Sequence, residues 1–257
     1  MKTTTDIQAH SPSTFYPLLL GSGKLARHLH HYFHLKSIPH CHSEDARNLD
    51  TAAFESKLER ASFVWILTSD RAITEVAEKI RAKKPEVTLV HASGSLSVPG
   101  VYTLHPLNTF GPDFYEISVY LKTAFTVITE EWADQPEALV SFFKNVPNPR
   151  QEIRAEARAF YHAACVMTSN FPQILWSAVF SEIEKKLGQP SAHFEPLLKQ
   201  ASANFLELRN QSLTGPLVRG DQSTIDRNLQ ALAGSELLGI YQSFVQFYQS
   251  RSNKEEA

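Results

Sequence analysis

The chain reads Leu18-Leu-Leu-Gly-Ser-Gly-Lys-Leu-Ala-Arg-His-Leu29 near its start, an apolar strand that passes through Gly-x-Gly-x-x-Ala into a helical pattern. Gly21 permits a tight turn, Gly23 lets the backbone approach a pyrophosphate, and the small Ala26 lets the helix pack on the strand. The start of a helix also favours anions, because its free N–H groups and positive dipole end lie there. This stretch therefore predicts a dinucleotide site with contacts from Gly21, Ser22, Gly23, Lys24 and Leu25.

Strand and helix patterns alternate after this turn. Phe63-Val-Trp-Ile-Leu67 is a continuous apolar run of strand length, which is typical of a parallel strand covered on both faces. Apolar periodicity predicts further strands at residues 36–41, 87–91, 101–105 and 124–128, and helices at 23–35, 51–60 and from Asp70 onward. Only nine residues, 92–100, join the fourth and fifth strands, which is too short for the usual crossover helix. The alternation indicates a doubly wound, Rossmann-type parallel sheet.

The second half of the chain has a different pattern. From about residue 151 it consists of amphipathic helices without a strand, at 153–187 with an interruption or kink at Pro172, and at 191–209, 223–232 and 236–249. Asn145-Val-Pro-Asn-Pro149 is turn-rich and marks a linker. We therefore expect an α/β then all-α chain, with a loose lead-in at 1–14, a Rossmann-type dinucleotide-binding domain at 15–147, an all-helical domain at 151–250 and a frayed tail at 251–257.

The composition limits the partners. The formal net charge is −2 and 42% of the residues are hydrophobic, so there is no basic surplus for nucleic acid or an acidic membrane, and a small-molecule partner is expected. Cys41 and Cys165 are too few for a disulfide framework. The first residues have no apolar signal core, and no run of about 18 apolar residues occurs. We expect a cytoplasmic location.

Four stretches together carry a resemblance to one family. In this order they resemble the Rossmann-like proteins with a C-terminal helical domain of unknown function, which are described as NADP- or deazaflavin-dependent oxidoreductases. The resemblance implies a place beside pyrroline-carboxylate reductase, ketopantoate reductase and the 3-hydroxyacid dehydrogenases. These proteins hold substrate between a Rossmann domain and a helical domain that often forms a homodimer. The stretches are Gly21 to Ala26, His91 to Gly94 with His105 to Phe110, Tyr161 to Phe171, and Leu213 to Asp221.

One position departs from this group. The hydroxyacid dehydrogenases and ketopantoate reductase have a catalytic Lys four residues before an Asn, and here Asn170 matches the Asn while Val166 stands at the Lys position. His162 is the candidate substitute, because residues 162, 166 and 170 follow one helical face. His162 and Asn170 lie about 12 Å apart along the axis at 1.5 Å per residue, so they would bracket one elongated substrate. His162 would act as general acid or base and Asn170 as an amide hydrogen-bonder. The alternative is a capping or core histidine.

Further candidates follow the predicted strands. His105 is a third candidate catalytic residue, because it precedes Pro106 at a strand end and the carboxyl edge of an open α/β sheet is where ligands bind. Ser93 follows the fourth strand, and Thr68 and Ser69 close the third, so the same edge argument places them at the cofactor. The alternatives are a solvated strand-end histidine for His105 and a plain turn at Ser93-Gly94.

The choice of cofactor should be decided after the second strand, about 20 residues beyond Gly21. The resembled family has a basic residue followed by Ser at this point, which His42 and Ser43 match, with Arg47 near enough to bind a 2′-phosphate. Glu44 or Asp45 would instead hold the ribose hydroxyl of NAD. We expect NADP, with NAD or a deazaflavin as alternatives.

The histidines at 28, 30, 31, 34, 40 and 42 invite a metal hypothesis. His30, His31 and His34 fall on the solvent face of the first predicted helix, and no acidic ligand repeats at metal spacing, so we expect no metal.

The sequence thus predicts an NADP-dependent oxidoreductase that acts on a carbonyl, imine or hydroxyl carbon of a small organic substrate at the interdomain cleft. A non-catalytic nicotinamide-nucleotide sensor is the alternative, and Val166 favours it. A third possibility is a helical assembly protein with a degenerate glycine turn.

Overall fold

The computed structural model describes residues 15–134 and 136–255. Its main sheet has five parallel strands in the order β2-β1-β3-β4-β5. These strands are β1 Pro17–Leu20, β2 Cys41–Ser43, β3 Phe63–Ile66, β4 Thr88–His91 and β5 Tyr102–Thr103, and the helices that connect the first four are α1 Lys24–Leu35, α2 Ala52–Arg60 and α3 Asp70–Lys83. The predicted Rossmann-type sheet is therefore confirmed.

The two faces of this sheet are both buried. Leu18 and Leu20 of β1 belong to a core cluster that also contains residues of α2 and α3, whereas Leu19 belongs to a second cluster together with Trp65 and residues of α1. Successive residues of a strand point to opposite faces, so a strand that is covered twice must be apolar at every position. This explains the continuous apolar runs of the sequence.

A second, smaller sheet packs into the core on the α1 side. It consists of β6 His105–Leu107, β7 Ala124–Ile128 and β8 Arg150–Ile153, with β6 antiparallel and β8 parallel to β7. Two helices, α4 Ile117–Lys122 and α5 Glu137–Asn145, lie between these strands in the chain. Phe125 of β7 and Phe142 of α5 share the core cluster of Trp65.

Three predicted elements are corrected. The second strand is Cys41–Ser43 instead of residues 36–41, because Leu18, Leu19 and Leu20 pair with residues 41–43 and β2 is an edge strand that tolerates polar side chains. The run 101–105 divides between two sheets, and Pro106, which has no N–H, lies on the edge strand β6. Residues 150–153 form a strand in the region predicted to be all helical.

The loop between β4 and β5 contains no helix within residues 92–100, which confirms that the crossover helix is missing there. The chain crosses this short distance with a turn at Pro99-Gly100 and an isolated bridge between Val98 and Val101.

The predicted C-terminal helices are confirmed as α6 Arg158–Leu187, α7 Glu195–Leu208, α8 Gln222–Ala231 and α9 Leu237–Glu255, and Pro172 lies inside α6. The chain divides into two compact units, Met1–Met167 and Thr168–Ala257, so the expected boundary near Asn145 to Pro149 falls within the first unit. The lead-in at 1–14 lies outside the described residues, and α9 continues into the segment expected to fray. None of the helices in the described ranges is both long and apolar enough to cross a bilayer.

Candidate functional site

An open cavity of about 830 Å³ lies at the carboxyl ends of β1, β3 and β4. Nine of the residues predicted to bind the cofactor line it, namely Gly21, Ser22, Gly23, Lys24, Leu25, Arg47, Thr68, Ser69 and Ser93. His42 and Ser43 of β2 are not among the described lining residues, whereas Glu44 and Asp45 are. The fold therefore gathers most of the predicted set around one cleft.

Gly21 is required by the fold itself. Its φ is +148°, and a Cβ atom there would lie 2.8 Å from the carbonyl carbon of Leu67 and closer still to the oxygen. Its N–H donates to the carbonyl of Ser43 at 2.9 Å, while the N–H of Leu67 donates to the carbonyl of Leu20 at 2.8 Å. The turn thus holds the ends of β1, β2 and β3 together.

Gly23 has a different role, because no other part of the described chain occupies the space beside it. It is the N-cap of α1 with φ −69°, and a Cβ atom built on it would meet nothing within 4 Å. No side chain caps α1, and its first turn contains no acidic residue. The N–H groups at the start of α1 are therefore free to bind an anion from the cleft.

The start of α3 lies at the same cleft and carries a negative charge, unlike the start of α1. Its first residue is Asp70, whose carboxylate accepts hydrogen bonds from the hydroxyls of Ser93 at 2.8 Å and Ser95 at 3.3 Å. The Ser93 hydroxyl oxygen also accepts the N–H groups of Ser95 and Leu96. Ser93 is therefore buried and shapes the loop after β4, and a phosphate is favoured at α1 over α3.

The end of β2 provides both charge types. His42 donates from Nε2 to the carbonyl of Gly21 at 2.8 Å, and this hydrogen bond stabilises the glycine turn. Asp45 accepts the backbone N–H groups of Arg47 at 2.9 Å and Asn48 at 3.2 Å. This turn commits the Asp45 carboxylate to the backbone and leaves the exposed side chains of Glu44 and Arg47 at the cavity.

Two of the three predicted catalytic residues meet at Gly94, the residue after Ser93. A Cβ atom on Gly94 would lie 3.2 Å from Nε2 of His105 and 3.2 Å from Nδ1 of His162. Nδ1 of His162 is buried and has no hydrogen-bond partner among the described residues. Two imidazole nitrogens thus face one space that exists because residue 94 has no side chain.

The protonation state of His105 follows from its surroundings. Burial, together with the neighbouring charge of His162, lowers the pKa of His105 to about 4, and Asp70 opposes this shift. His105 is therefore neutral at pH 7, with one nitrogen carrying a proton and the other a lone pair.

Asn170, the third predicted catalytic residue, lies on α6 in the second unit, where its side-chain oxygen accepts a hydrogen bond from the Ser169 hydroxyl at 3.0 Å. It is exposed, and a contact between Asn170 and substrate stays a prediction.

The sequence did not predict the buried network of charged and polar groups around Arg158. Arg158 forms an ion pair with Glu131 and donates to the carbonyl of Leu96 and to the Thr103 hydroxyl at 3.0 Å. Burial, followed by the charge of Arg158, lowers the pKa of the fully buried His91 to about 4. These partners are up to 62 residues apart in the chain, so no local pattern identifies them.

The histidines of α1 are divided between core and surface. His28 is buried, with Nδ1 2.7 Å from the Tyr120 hydroxyl and Nε2 3.1 Å from the carbonyl of Gly111. Nδ1 of the exposed His30 lies 2.8 Å from Nε2 of His40. Among the described residues, no group of three or more His, Cys, Asp or Glu side chains is arranged to hold a metal ion.

Comparisons with known proteins identify related folds. No curated protein sequence matches the chain. A Bacteroides fragilis protein assigned as an NADP oxidoreductase is 20% identical with a TM-score of 0.71, covering 91% of this chain and 98% of its own. A Thermotoga maritima protein is 23% identical with a TM-score of 0.68, covering 94% and 100%. Pyrroline carboxylate reductase of Plasmodium falciparum, solved with NADP bound, is 11% identical with a TM-score of 0.55, covering 94% and 99%.

A family model also matches part of the chain, the domain of unknown function DUF2520 at residues 125–247. This match and the shared fold confirm the resemblance that the four sequence stretches carry. The chain thus has the Rossmann-type fold of this oxidoreductase group, and its residues 125–247 match DUF2520.

Proposed function

We propose that the chain is an NADP-dependent oxidoreductase that reduces or oxidises a carbonyl, imine or hydroxyl carbon of a small organic molecule. The strongest support is that two features lie next to each other at one edge of the sheet. The uncapped start of α1 faces an open cleft, and Ser93, which lines that cleft, is followed by Gly94 beneath His105 and His162.

The cleft residues fit a nicotinamide dinucleotide. Ser22, Gly23, Lys24 and Leu25 would hold the pyrophosphate through the free N–H groups of α1, and Arg47 would bind the 2′-phosphate. Glu44 would instead accept a ribose hydroxyl of NAD, the alternative cofactor, and a deazaflavin is a third candidate. The NADP bound to the Plasmodium reductase of similar fold agrees with the first choice. When bound, the cofactor supplies or accepts the hydride.

The two histidines would handle the proton that accompanies the hydride. With Val166 at the usual Lys position, His162 is the general acid or base, because its buried Nδ1 has no hydrogen-bond partner in the part of the chain that the structure describes and faces the space over Gly94. His105, neutral at pH 7, presents its second nitrogen to the same space. A substrate oxygen or nitrogen placed over Gly94 would therefore lie within reach of both rings.

A non-catalytic nicotinamide-nucleotide sensor is the second candidate, and Val166 favours it. One measurement distinguishes the enzyme from the sensor. An enzyme oxidises NADPH with some member of a panel of small keto acids and cyclic imines, whereas a sensor binds NADPH and turns over none of them. A helical assembly protein would bind neither NADPH nor NADH.

Binding of NADPH to the Gly23→Val variant tests the cofactor site. We expect NADPH affinity to fall by at least about tenfold, equivalent to about 1.4 kcal/mol, because the new side chain fills the approach to the start of α1. The melting temperature should fall only slightly, since φ at Gly23 is −69° and the added Cβ meets no described atom within 4 Å outside the adjoining backbone, while valine is a poorer N-cap than glycine. Calorimetric titration and thermal denaturation give the two readouts.

The matched variant is Arg47→Ala, which should weaken NADPH by about tenfold and leave NADH unchanged, because only NADPH carries the 2′-phosphate. Equal affinity of the unmodified protein for NADPH and NADH would contradict the choice of NADP. Unchanged NADPH affinity in Gly23→Val would contradict the placement of the pyrophosphate.

We also propose that the helical unit forms a homodimer. Within the described residues of this unit, Ile225, Leu237 and Val245 are the buried hydrophobic side chains, too few to offset the entropy of ordering it. Large apolar side chains instead lie exposed on α6, α7 and α9, among them Phe171, Ile174, Leu197, Phe205, Leu206 and Phe247. A second copy presents the same apolar surface and is present wherever the chain is, so it is the occupant we propose.

Sedimentation should give the mass of two chains. Leu206→Asp should give a monomer that melts at a lower temperature, because the carboxylate is placed where we expect the other copy to cover it. Leu35→Asp, at an exposed leucine in the first unit, is the control and should sediment as a dimer. A monomeric unmodified protein would overturn the assignment.

A further inference from the structure

We propose that Tyr161 is a positioning residue that selects the tautomer of His105, with the proton on Nδ1 and the lone pair on Nε2. This role rests on the proposed oxidoreductase function, in which Nε2 of His105 faces the reacting atoms. Among the described residues, Tyr161 is neither a neighbour of Gly94 nor part of the cleft lining, and it acts through the histidine.

The hydrogen bonds of Tyr161 with Thr126 and His105 agree with one assignment of the protons. Its buried hydroxyl donates to Oγ1 of Thr126 at 2.9 Å, and its oxygen lies 2.6 Å from Nδ1 of His105. A phenol has one proton, so an oxygen that donates to Thr126 must accept from His105. Nδ1 therefore carries the proton and Nε2, on the side of Gly94, carries the lone pair.

Three elements hold this arrangement in place. Thr126 on β7 is the cross-strand partner of His105 on β6, so the backbone ladder places the two side chains beside each other. Tyr161 reaches both from the first turns of α6, and its ring lies perpendicular to the His105 ring, with centroids 5.6 Å apart and an interplanar angle of 88°. The pairing of β6 with β7 and the docking of α6 thus determine the orientation of one imidazole.

The selection matters because His105 is uncharged at pH 7. A neutral imidazole in water exchanges between two tautomers, and only one of them presents a lone pair over Gly94. The titratable groups around the pair are His162 and Asp70 next to His105, and Cys165 next to the Tyr161 hydroxyl. Burial raises the pKa of Tyr161, so the phenol keeps its proton across the working pH range.

With Nε2 as an acceptor, His105 can accept the hydrogen bond of a substrate hydroxyl in the oxidative direction. As the O–H bond breaks, the proton would pass through Nε2 of His105 to Nδ1 of His162, the proposed base, and the carbon would lose a hydride to the oxidised nicotinamide, which completes the two-electron oxidation. His105 thereby returns to its neutral form, which burial favours, with Nδ1–H still donated to Tyr161.

The tautomer can be measured without turnover, by ¹⁵N NMR of the imidazole nitrogens in protein labelled at histidine. We expect a protonated Nδ1 and an unprotonated Nε2 for His105, identified by the loss of its signals in His105→Gln. Tyr161→Phe keeps the ring and removes the hydroxyl, so the His105 signals should move toward the other tautomer. Tyr120→Phe is the control, because the Tyr120 hydroxyl lies 2.7 Å from Nδ1 of a different buried histidine, His28, and its loss should change only that histidine.

Kinetics give the second readout. Tyr161→Phe should lower kcat by about tenfold to a hundredfold with KM and NADPH affinity retained, consistent with a lost contribution to general base catalysis. Thr126→Val should act in the same direction and Thr126→Ser should restore the original behaviour, which separates the hydroxyl from packing.

The outcomes distinguish the positioning role of Tyr161 from the proposed oxidoreductase function. A protonated Nε2 in the unmodified protein, or a tautomer unchanged in Tyr161→Phe, overturns the positioning role. A tautomer that changes while kcat does not also overturns it as a contribution to the reaction. NADPH binding without turnover, with the tautomer as described, contradicts the proposed enzyme and leaves the assignment of the protons correct.

Discussion

Replacement of His162 by alanine should lower turnover by about 10²- to 10⁴-fold while NADPH affinity and melting temperature stay nearly constant. The loss is expected because Nδ1 of His162 faces the space over Gly94, where the substrate atom that gains or loses a proton would lie. The fold should tolerate the change, since this buried nitrogen makes no hydrogen bond within the described residues. Steady-state oxidation of NADPH with the compound found active in the panel gives kcat and KM.

His34→Ala is the control for this experiment, because His34 is an exposed histidine on α1. Its kcat should equal that of the unmodified protein. Full turnover by His162→Ala would transfer the acid or base role to another group and contradict the proposed chemistry.

Replacement of Arg158 by methionine should have the largest effect on stability. It removes an almost buried guanidinium, with 8% of its side chain exposed, from an ion pair with Glu131, whose side chain is 20% exposed. The change leaves a carboxylate in a low-dielectric site without its partner, and such breaks cost about 3–5 kcal/mol. The Thr103 hydroxyl and the carbonyl of Leu96 lose their donor as well.

Urea denaturation followed through tryptophan fluorescence measures this loss, because the three tryptophans, Trp65, Trp132 and Trp176, include two that lie in the core of the first unit. Adding Glu131→Gln to Arg158→Met should recover part of the stability, since the unpaired charge is then removed. Arg154→Met is the control, because Arg154 pairs with Glu130 and Glu156 on the surface and should change little. Equal effects of the two arginine variants would contradict the network.

Elements that depend on local constraints could be predicted from the sequence. The elements identified in this way are the glycine turn, the apolar runs of β1 and β3, and the helix starts at Gly23 and Thr51. They depend on backbone freedom, burial on both faces and capping, each of which can be recognised within a few residues of sequence. The missing crossover helix was also predictable, since nine residues cannot span that connection with a helix.

Elements that depend on pairing were predicted less well. The second strand was placed too early because Cys41, His42 and Ser43 are not an apolar run, and they form a strand only through pairing with β1. The region 101–105 looked like one strand, although its last residue pairs with Thr126 in another sheet. Arg150 to Ile153 alternates exposed and half-buried positions and becomes a strand beside β7, which no local pattern could reveal.

The sequence by itself determined that a strand, a glycine turn and a helix make one side of the open cleft, because φ at Gly21 and the lack of a side chain at Gly23 are properties of the local backbone. Only the tertiary structure decided what stands beside that cleft. His105 and His162 meet over Gly94, with Tyr161 bonded to the other nitrogen of His105, because β6 pairs with β7 and the start of α6 docks on both. These contacts join residues 11 to 68 positions apart. They depend on packing and burial of the whole unit, so they cannot be predicted from spacing along the chain.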